Sequence, residues 1–480
     1  MKSFSRVLIA NRGEPGARIA RTLRKMGIAP VALVPKGERA PAWASDALPG
    51  AGDGLAAYLD AKTIVTAATS ARIDAIHPGW GFLSERAEFS RLVEASGIVF
   101  IGPTAEQMES LGDKATAKEI ARALGLPLIA STMDESAMAG MSFPILLKPA
   151  AGGGGKGMIV VRHPKDLAAS LERSRREALA AFGDDRVMAE TYVERLLHVE
   201  IQVLGDGQGK VWTLGERDCT VQRRHQKIVE ESPSPFLDGT TRAKLEGYAR
   251  TLAEHVSYRS AGTVEFMIDA AGRSYFMEMN TRLQVEHGVT EERFRLDLVE
   301  AQVRLARGES IEVPTKPTPM HVIQVRVYAE DPYENFLPST GEILAWHPPS
   351  EVRVDHDLRE GDRIDHHFDP MLAKVIVAGS DRAQAISNLR GALSQTALLG
   401  VNTNLNYLDW VLSHADFRDA RHHTRWTQET LEAYRAFESS FDLGEVARLM
   451  EPSRGTSVEG ATQAPTPWET LPSWRIGGAR

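Results

Sequence analysis

Residues 278–291 read EMNTRLQVEHGVTE. Glu278, Asn280, Arg282, Gln284 and Glu286 recur with a period of two, the period of a β-strand. An extended segment would line one face with two carboxylates, two amides and a guanidinium. A strand packed on a core presents apolar groups there, and burying this row without partners is costly. The pattern predicts a polar wall facing a small charged ligand and a metal ion. The alternative is a solvated edge strand.

The residues just upstream support the wall. Segments 262–268 (GTVEFMI) and 274–280 read as two strands joined by a turn at Ala271-Gly272. A hairpin would set Glu265 near Glu278. Two close carboxylates repel unless a cation lies between them. With Asn280 they make a hard oxygen site suited to Mg²⁺ or Mn²⁺ bridging nucleotide phosphates.

Further upstream lies a glycine-rich stretch, AAGGGGKGM, at 150–158. Gly152, Gly154 and Gly157 satisfy G-x-G-x-x-G, yet the β-branched run at 158–162 predicts a strand where a dinucleotide site needs a helix. The run also fails the P-loop pattern. It reads as a strand–loop–strand hairpin whose exposed amides close over phosphates as a mobile lid. Strand 143–148 before it ends in Lys148. Lys114 opens helix 115–124, where its charge opposes the macrodipole, and a phosphate ligand would account for it. A second charged stretch, ERDCTVQRRHQKIVEE at 216–231, is flanked by apolar residues and reads as cleft-lining rather than as a solvated face.

The chain opens with a buried strand (5–11), a helix carrying Ile19, Leu23 and Met26 on one face and stopped by Gly27, and a second strand (30–34). This is a parallel α/β unit without a dinucleotide fingerprint. Residues 36–56 read as an irregular loop. HPGWGFLSE at 77–85 predicts a tight loop at a strand's end. Beyond a Pro-rich link at 313–319, strands at 321–330, 342–347, 351–354 and 371–377 and a helix at 382–393 form a third region. From about 452 the composition turns to Ser, Gly, Thr and Pro, a linker signature.

With 480 residues, several domains are expected. A formal net charge of −8 argues against a nucleic-acid surface. The single cysteine, Cys219, allows no intramolecular disulfide and suits a reducing, cytoplasmic setting. No apolar run approaches the length of a membrane span.

In sequence order, IANRGE, HPGWGFLSE, GDK at 112–114, the glycine lid, HVEIQV, ERDCTVQRRHQKIVEE, GTVEFM, EMNTRLQVEH and RVYAEDP resemble the biotin carboxylase component of biotin-dependent carboxylases, an ATP-grasp enzyme. The resemblance runs from about residue 5 to 435. It implies α/β and α+β architecture: an N-terminal Rossmann-like pre-ATP-grasp domain (1–112), an ATP-grasp domain (113–312) with its lid at about 130–204, a C-terminal mixed α/β domain (320–435) and a tail (436–480). It implies ATP contacts from Lys114, Lys148, Gly153, Gly154, Gly155, His198, Gln222 and His225, with Glu190 and Val193 near the adenine. Glu265, Glu278 and Asn280 would hold Mg²⁺ or Mn²⁺. Lys227, Arg282, Gln284 and Val285 would bind bicarbonate, Glu286 would be the general base, and Arg326 would stabilise the biotin enolate.

The implied partners are a biotin carboxyl carrier protein, a carboxyltransferase subunit and a second copy of the chain, with no nucleic acid or membrane. No Met-Lys-Met biotinylation hairpin is present, so biotin is expected on a carrier outside this sequence. Pro467-Trp468 and Trp474-Arg475 resemble the linker opening of acyl-CoA carboxylase α subunits. Gly288 stands where the family usually has proline, and Glu292–Arg295, Leu196-Leu197 and Thr191 also depart from its pattern; none removes a named catalytic group. Competing readings are another ATP-grasp carboxylate–amine ligase and a non-catalytic scaffold subunit.

Overall fold

A computed structural model describes residues 2–50, 52–150, 157–224 and 226–438. Gly153, Gly154, Gly155, His225 and the expected tail linker lie outside them.

The apolar run RVLI makes β1 (Arg6–Ile9), buried at the centre of a parallel sheet. β2 (Ala29–Val34), β3 (Asp46–Pro49), β4 (Ala75–His77) and β5 (Val99–Phe100) complete it in the order β3-β2-β1-β4-β5. Helix Gly13–Lys25 carries Pro15 in its first turn and buries Ile19, Ala20 and Leu23. The stretch 36–56 is more ordered than expected: it holds β3 and part of the 3₁₀ turn Gly54–Tyr58. β3 is a short edge strand that buries only Leu48 and ends in proline, so its periodicity is too brief to register.

A second, antiparallel sheet of β6 (Ser131–Thr132), β7 (Ile145–Pro149), β8 (Ile159–Val161) and β9 (Val187–Thr191) runs in the order β6-β9-β7-β8. The expected hairpin flanking the glycine run is β7–β8. Ile145, Leu147, Val161, Leu171, Val187 and Ala189 give this sheet its own apolar core.

The third sheet has eight strands. β10 (Leu197–Asp206), β11 (Val211–Arg223), β12 (Gln226–Ser232), β13 (Arg259–Ile268), β14 (Ser274–Asn280) and β15 (His321–Tyr328) lie in the order β14-β13-β10-β11-β12-β15. Strands Met371–Gly379 and Arg353–His356 follow. The sheet therefore crosses the Pro-rich link without a break. Among the described residues no helix is long and apolar enough to cross a membrane. Residues 1–432 form one unit; of the remainder, the described part is the end of helix Leu431–Glu438.

The predicted strand face at 278–286 is corrected here. β14 stops at Asn280, residues 281–286 form a loop, and helix His287–Phe294 follows. That helix buries seven of its eight residues and has no side-chain N-cap, so it lacks the amphipathic and capping signals that mark helices in a sequence. Gly288 sits in its first turn, where an added Cβ would stand 2.5 Å from Ile376 Cδ1. Gly288→Ala is expected to destabilise the fold by about 1–3 kcal/mol, as overpacking does. Ile376→Val should recover part of that loss in a denaturant titration; additive losses would show that Ile376 is not the obstruction.

Candidate active site

Strand register gathers the acidic groups. β13 and β14 place Glu265 directly opposite Glu278, as the hairpin reading expected, and β10 places Glu200 opposite Glu265. On the far side of β10, Arg217 of β11 lies opposite Glu200. Three carboxylates on adjacent strands would repel one another without cations.

Lys227 supplies one such charge. Its ammonium donates to Glu200 Oε2 at 2.6 Å, Glu286 Oε1 at 2.7 Å and Glu265 Oε1 at 3.0 Å, using all three of its N–H donors. Burial alone would lower the lysine's pKa, but Glu200, Glu265 and Glu286 hold it well above its ordinary value. Arg217, wholly buried, donates to Glu200 at 2.5 Å, Gln202 at 2.7 Å and Thr290 at 2.8 Å.

Glu286 is fully buried at the end of the 281–286 loop. Its second oxygen accepts from Arg326 Nη2 at 3.1 Å. Burial would raise its pKa, yet Lys227, Arg326 and Arg217 together hold it well below the carboxylate range. Arg326 in turn donates from Nε to Glu230 Oε1 at 2.5 Å, and Gln324 donates to the other Glu230 oxygen at 3.0 Å. Arg282 bridges Gln284 Oε1 at 2.9 Å and Asn280 Oδ1 at 3.2 Å, with Glu85 3.0 Å from its Nε. Asn280 Nδ2 donates to Glu265 Oε1 at 2.8 Å. Arg282, Gln284 and Glu286 thus reach the wall from a loop, each on its own partners.

The backbone around Val285 is held from behind. Lys374, buried, donates to the Val285 carbonyl at 2.9 Å and lies 2.9 Å from Glu14 Oε1 and 3.8 Å from Asp355 Oδ2. Its ammonium sits 4.9 Å from the centre of the Trp80 ring. The HPGWG loop is fixed by Asn11, whose amide donates to the carbonyls of Pro78 and Trp80, each at 2.8 Å. Gly79 has φ +65°, and an added Cβ would approach Asn11 Nδ2 to 2.7 Å.

The residues expected at a nucleotide lie on the neighbouring elements. Lys114 Nζ is 3.3 Å from Glu278 Oε2. His198 Nε2 is 3.0 Å from Glu265 Oε2, and its Nδ1 is 2.7 Å from the Gln222 amide. Val193, half-buried, follows β9 in the loop that leads to β10. Lys148 and Lys118 both pair with the buried Glu190. Burial would raise the Glu190 pKa, but the two lysines bring it down to about 2. A depressed carboxylate pKa adds stability that is present above its unfolded value and is lost as pH falls toward 2. The acid limb of a thermal-midpoint profile should therefore be shallower below about pH 4.5 in Glu190→Gln than in the wild type. Parallel acid limbs would contradict this account.

Glu200, Arg217, Glu230, Lys118 and Lys374 belong to this centre without having been singled out. Glu200 alternates with Val199 and Ile201 in HVEIQV, beside His198 and Gln202 on the same face. That alternation usually marks a solvated face, and only the long-range partners identify it as a buried one.

Comparison with known proteins agrees with the fold. The antiparallel sheets, the larger of which runs on through β15 and its Arg326, define a carboxylase-type ATP-grasp protein. Family models match at three places: "Biotin carboxylase, N-terminal domain" at 3–108, "Carbamoyl-phosphate synthase L chain, ATP binding domain" at 113–313 and "Biotin carboxylase C-terminal domain" at 324–429. The biotin carboxylase domain dimer of Hydrogenobacter thermophilus 2-oxoglutarate carboxylase, in complex with MgADP, ADP and bicarbonate, superposes with a TM-score of 0.88. It is 37% identical and matches over 90% of this chain and 99% of that one. The α subunit of soybean (Glycine max) mitochondrial methylcrotonoyl-CoA carboxylase is 43% identical over 86% of this chain and 59% of its own length. The propionyl-CoA carboxylase α chain of Ruegeria pomeroyi is 39% identical over 86% of this chain and 66% of its own. The chain belongs to the biotin carboxylase family. It spans about three-fifths of the length of the soybean and rat methylcrotonoyl-CoA carboxylase α subunits. The mitochondrial label on the soybean protein means that a cytoplasmic setting is not general among its relatives.

Proposed function

We propose that the chain catalyses the ATP- and bicarbonate-dependent carboxylation of biotin, the first half-reaction of a biotin-dependent carboxylase. The observation that carries this reading is the buried Glu286 carboxylate held between Lys227 and Arg326, beside the anion-binding groups of the 281–286 loop.

Bicarbonate would enter against Lys227 and Arg282, with Gln284 and the Val285 backbone completing its contacts. Lys227 then shares its three donors between protein carboxylates and the substrate. Loss of part of that cationic stabilisation raises the Glu286 pKa, while the same charges lower that of bound bicarbonate. Both shifts favour proton transfer to Glu286. The resulting oxyanion attacks the γ-phosphorus of ATP, the β–γ bridging oxygen leaves with ADP, and carboxyphosphate forms. Its breakdown gives CO2 and phosphate; the phosphate takes the N1′ proton of biotin, and the enolate attacks CO2. Once protonated, Glu286 no longer pairs with Arg326, whose Nη2 is released toward the enolate while Glu230 and Gln324 keep the side chain in place.

The opposed Glu265 and Glu278 carboxylates, with the Asn280 amide oxygen, fit a hard divalent ion accompanying ATP. Such an ion would neutralise phosphate charge during transfer. Lys114, Lys148, His198, Gln222 and His225, with Gly153, Gly154 and Gly155 of the lid, would hold the nucleotide, and Glu190 and Val193 would border its base.

The relatives named for methylcrotonoyl-CoA and propionyl-CoA support an acyl-CoA acceptor, a separate biotin carrier domain and a carboxyltransferase partner. The dimer named for the Hydrogenobacter domain supports a homodimer. The buried lone cysteine supports a reducing compartment, cytoplasmic or, as in the soybean relative's name, mitochondrial. ADP release with and without bicarbonate and free biotin tests the central reading: biotin-stimulated turnover that requires bicarbonate is expected, and turnover indifferent to both would overturn it.

A further inference from the structure

We propose that Asp218, Glu231 and His422 bind a divalent first-row transition cation, of the Zn²⁺ or Co²⁺ class, where β11 and β12 meet the segment that follows helix Ala415–Arg418. Asp218 and Glu231 are cross-strand partners, one on β11 and one on β12. One oxygen of each and one ring nitrogen of His422 all lie within 4.8 Å of one another, and all three residues are buried. Metal–ligand bonds of about 2.0–2.2 Å set ligand atoms roughly 3–4 Å apart, so a small closure completes the site.

The charge balance at Asp218 favours a proton or a cation. Glu231 is paired with Arg382, at 2.7 and 2.9 Å, and with His321 at 2.7 Å. Asp218 accepts only from neutral donors, the Thr220 N–H and the Ser234 hydroxyl, each at 3.0 Å; among the described residues it has no ion pair. A buried carboxylate without a counter-charge is costly.

The imidazole gives an independent indication. His422 is 2% exposed, and neither ring nitrogen makes a well-formed hydrogen bond among the described residues, although the Asp416 backbone lies close enough to interact weakly with the ring. The Phe236 and Phe417 rings close over it at 4.8 and 5.1 Å between centroids. An imidazole so poorly paired between two aromatic rings forfeits polar interaction that a metal bond would restore. The nitrogen donor favours zinc or cobalt over magnesium, and the absence of a thiolate from the trio sets it apart from soft sulfur sites.

Such an ion would clamp the 421–427 segment to the sheet. That segment already reaches toward the nucleotide residues: the Thr424 N–H donates to the Leu196 carbonyl at 2.9 Å, and the Thr427 hydroxyl donates to the Gln222 carbonyl.

The test is cobalt and zinc binding to the purified chain without nucleotide. After chelation, reloading and desalting, about one equivalent should remain, and zinc should raise the thermal midpoint. His422→Phe and Asp218→Asn should each lose that equivalent and the stabilisation, while Glu278→Gln keeps both. X-ray absorption of the zinc-loaded wild type should show nitrogen and oxygen ligands with one imidazole. That measurement stands even if the variants do not fold. No retained ion, undiminished retention by folded His422→Phe, or a sulfur ligand from Cys219 would each overturn the assignment.

Discussion

Glu286→Gln is expected to cut bicarbonate-dependent ADP release by about 10²–10⁴-fold, the range supplied by a positioned general base. The amide keeps the shape of the side chain but has no charge and accepts a proton far less readily. The KM for ATP should change little, because Glu286 contacts Lys227 and Arg326 and neither of the lysines at Glu190. Some stability should be lost with this buried, pKa-depressed carboxylate, but neither cation is left unpaired. Lys227 keeps Glu200 and Glu265, and Arg326 keeps Glu230. A steady-state assay of ADP release against bicarbonate concentration, with a thermal melt alongside, separates these expectations. A folded variant within tenfold of wild-type turnover would remove Glu286 from the role of base.

The second large effect is expected away from the reacting groups, at Lys374. Lys374→Met deletes the donor to the Val285 carbonyl and leaves Glu14 and Asp355 without their shared ammonium. Breaking a buried pair by removing one partner costs about 3–5 kcal/mol. Burial already lifts the Glu14 pKa to about 7 against the pull of Lys374, so removing the lysine pushes it higher still. A carboxyl raised above its unfolded value makes the native state the better proton binder, so stability falls as pH rises. The deficit of the variant should therefore widen as pH rises through about 7. Adding Glu14→Gln should remove that pH dependence. Lys374→Met should also weaken the apparent bicarbonate affinity, and Glu14→Gln should not restore it, because the Val285 backbone still lacks its anchor. A double variant that regains both would show that Lys374 serves stability alone.

These residues also show what the sequence could reveal. The motif order made the family and its α/β architecture legible, and the GTVEFM and EMN strands were close enough together for the Glu265–Glu278 pairing to be inferred. The fault lay in extending a period of two through residue 286. Arg282, Gln284 and Glu286 converge on the wall because each finds a partner from another element, and alternation cannot distinguish that from a strand face. Glu200, Glu230 and Lys374 were harder still. A charged residue between apolar neighbours looks the same in sequence whether its partner is water or a guanidinium more than ninety residues away, as for Glu230 and Arg326. Helix His287–Phe294 escaped for the opposite reason: burial on nearly every side erases the polar face by which a helix is recognised.

The unbroken eight-stranded sheet has a consequence for building chimaeras. A natural place to recombine biotin carboxylases is the Pro-rich stretch at 313–319, where the sequence suggests a seam. A cut there would run between β12 and β15 and strip the ladder partners from Val229–Ser232. The severed half would carry a raw hydrogen-bonding edge, which invites self-association, and it would lose Arg326 from beside Glu286. Donor and recipient would therefore have to match strand for strand across the junction. A safer graft is the β6–β9 sheet, which keeps its own apolar core and is the part of the molecule most readily exchanged as a unit.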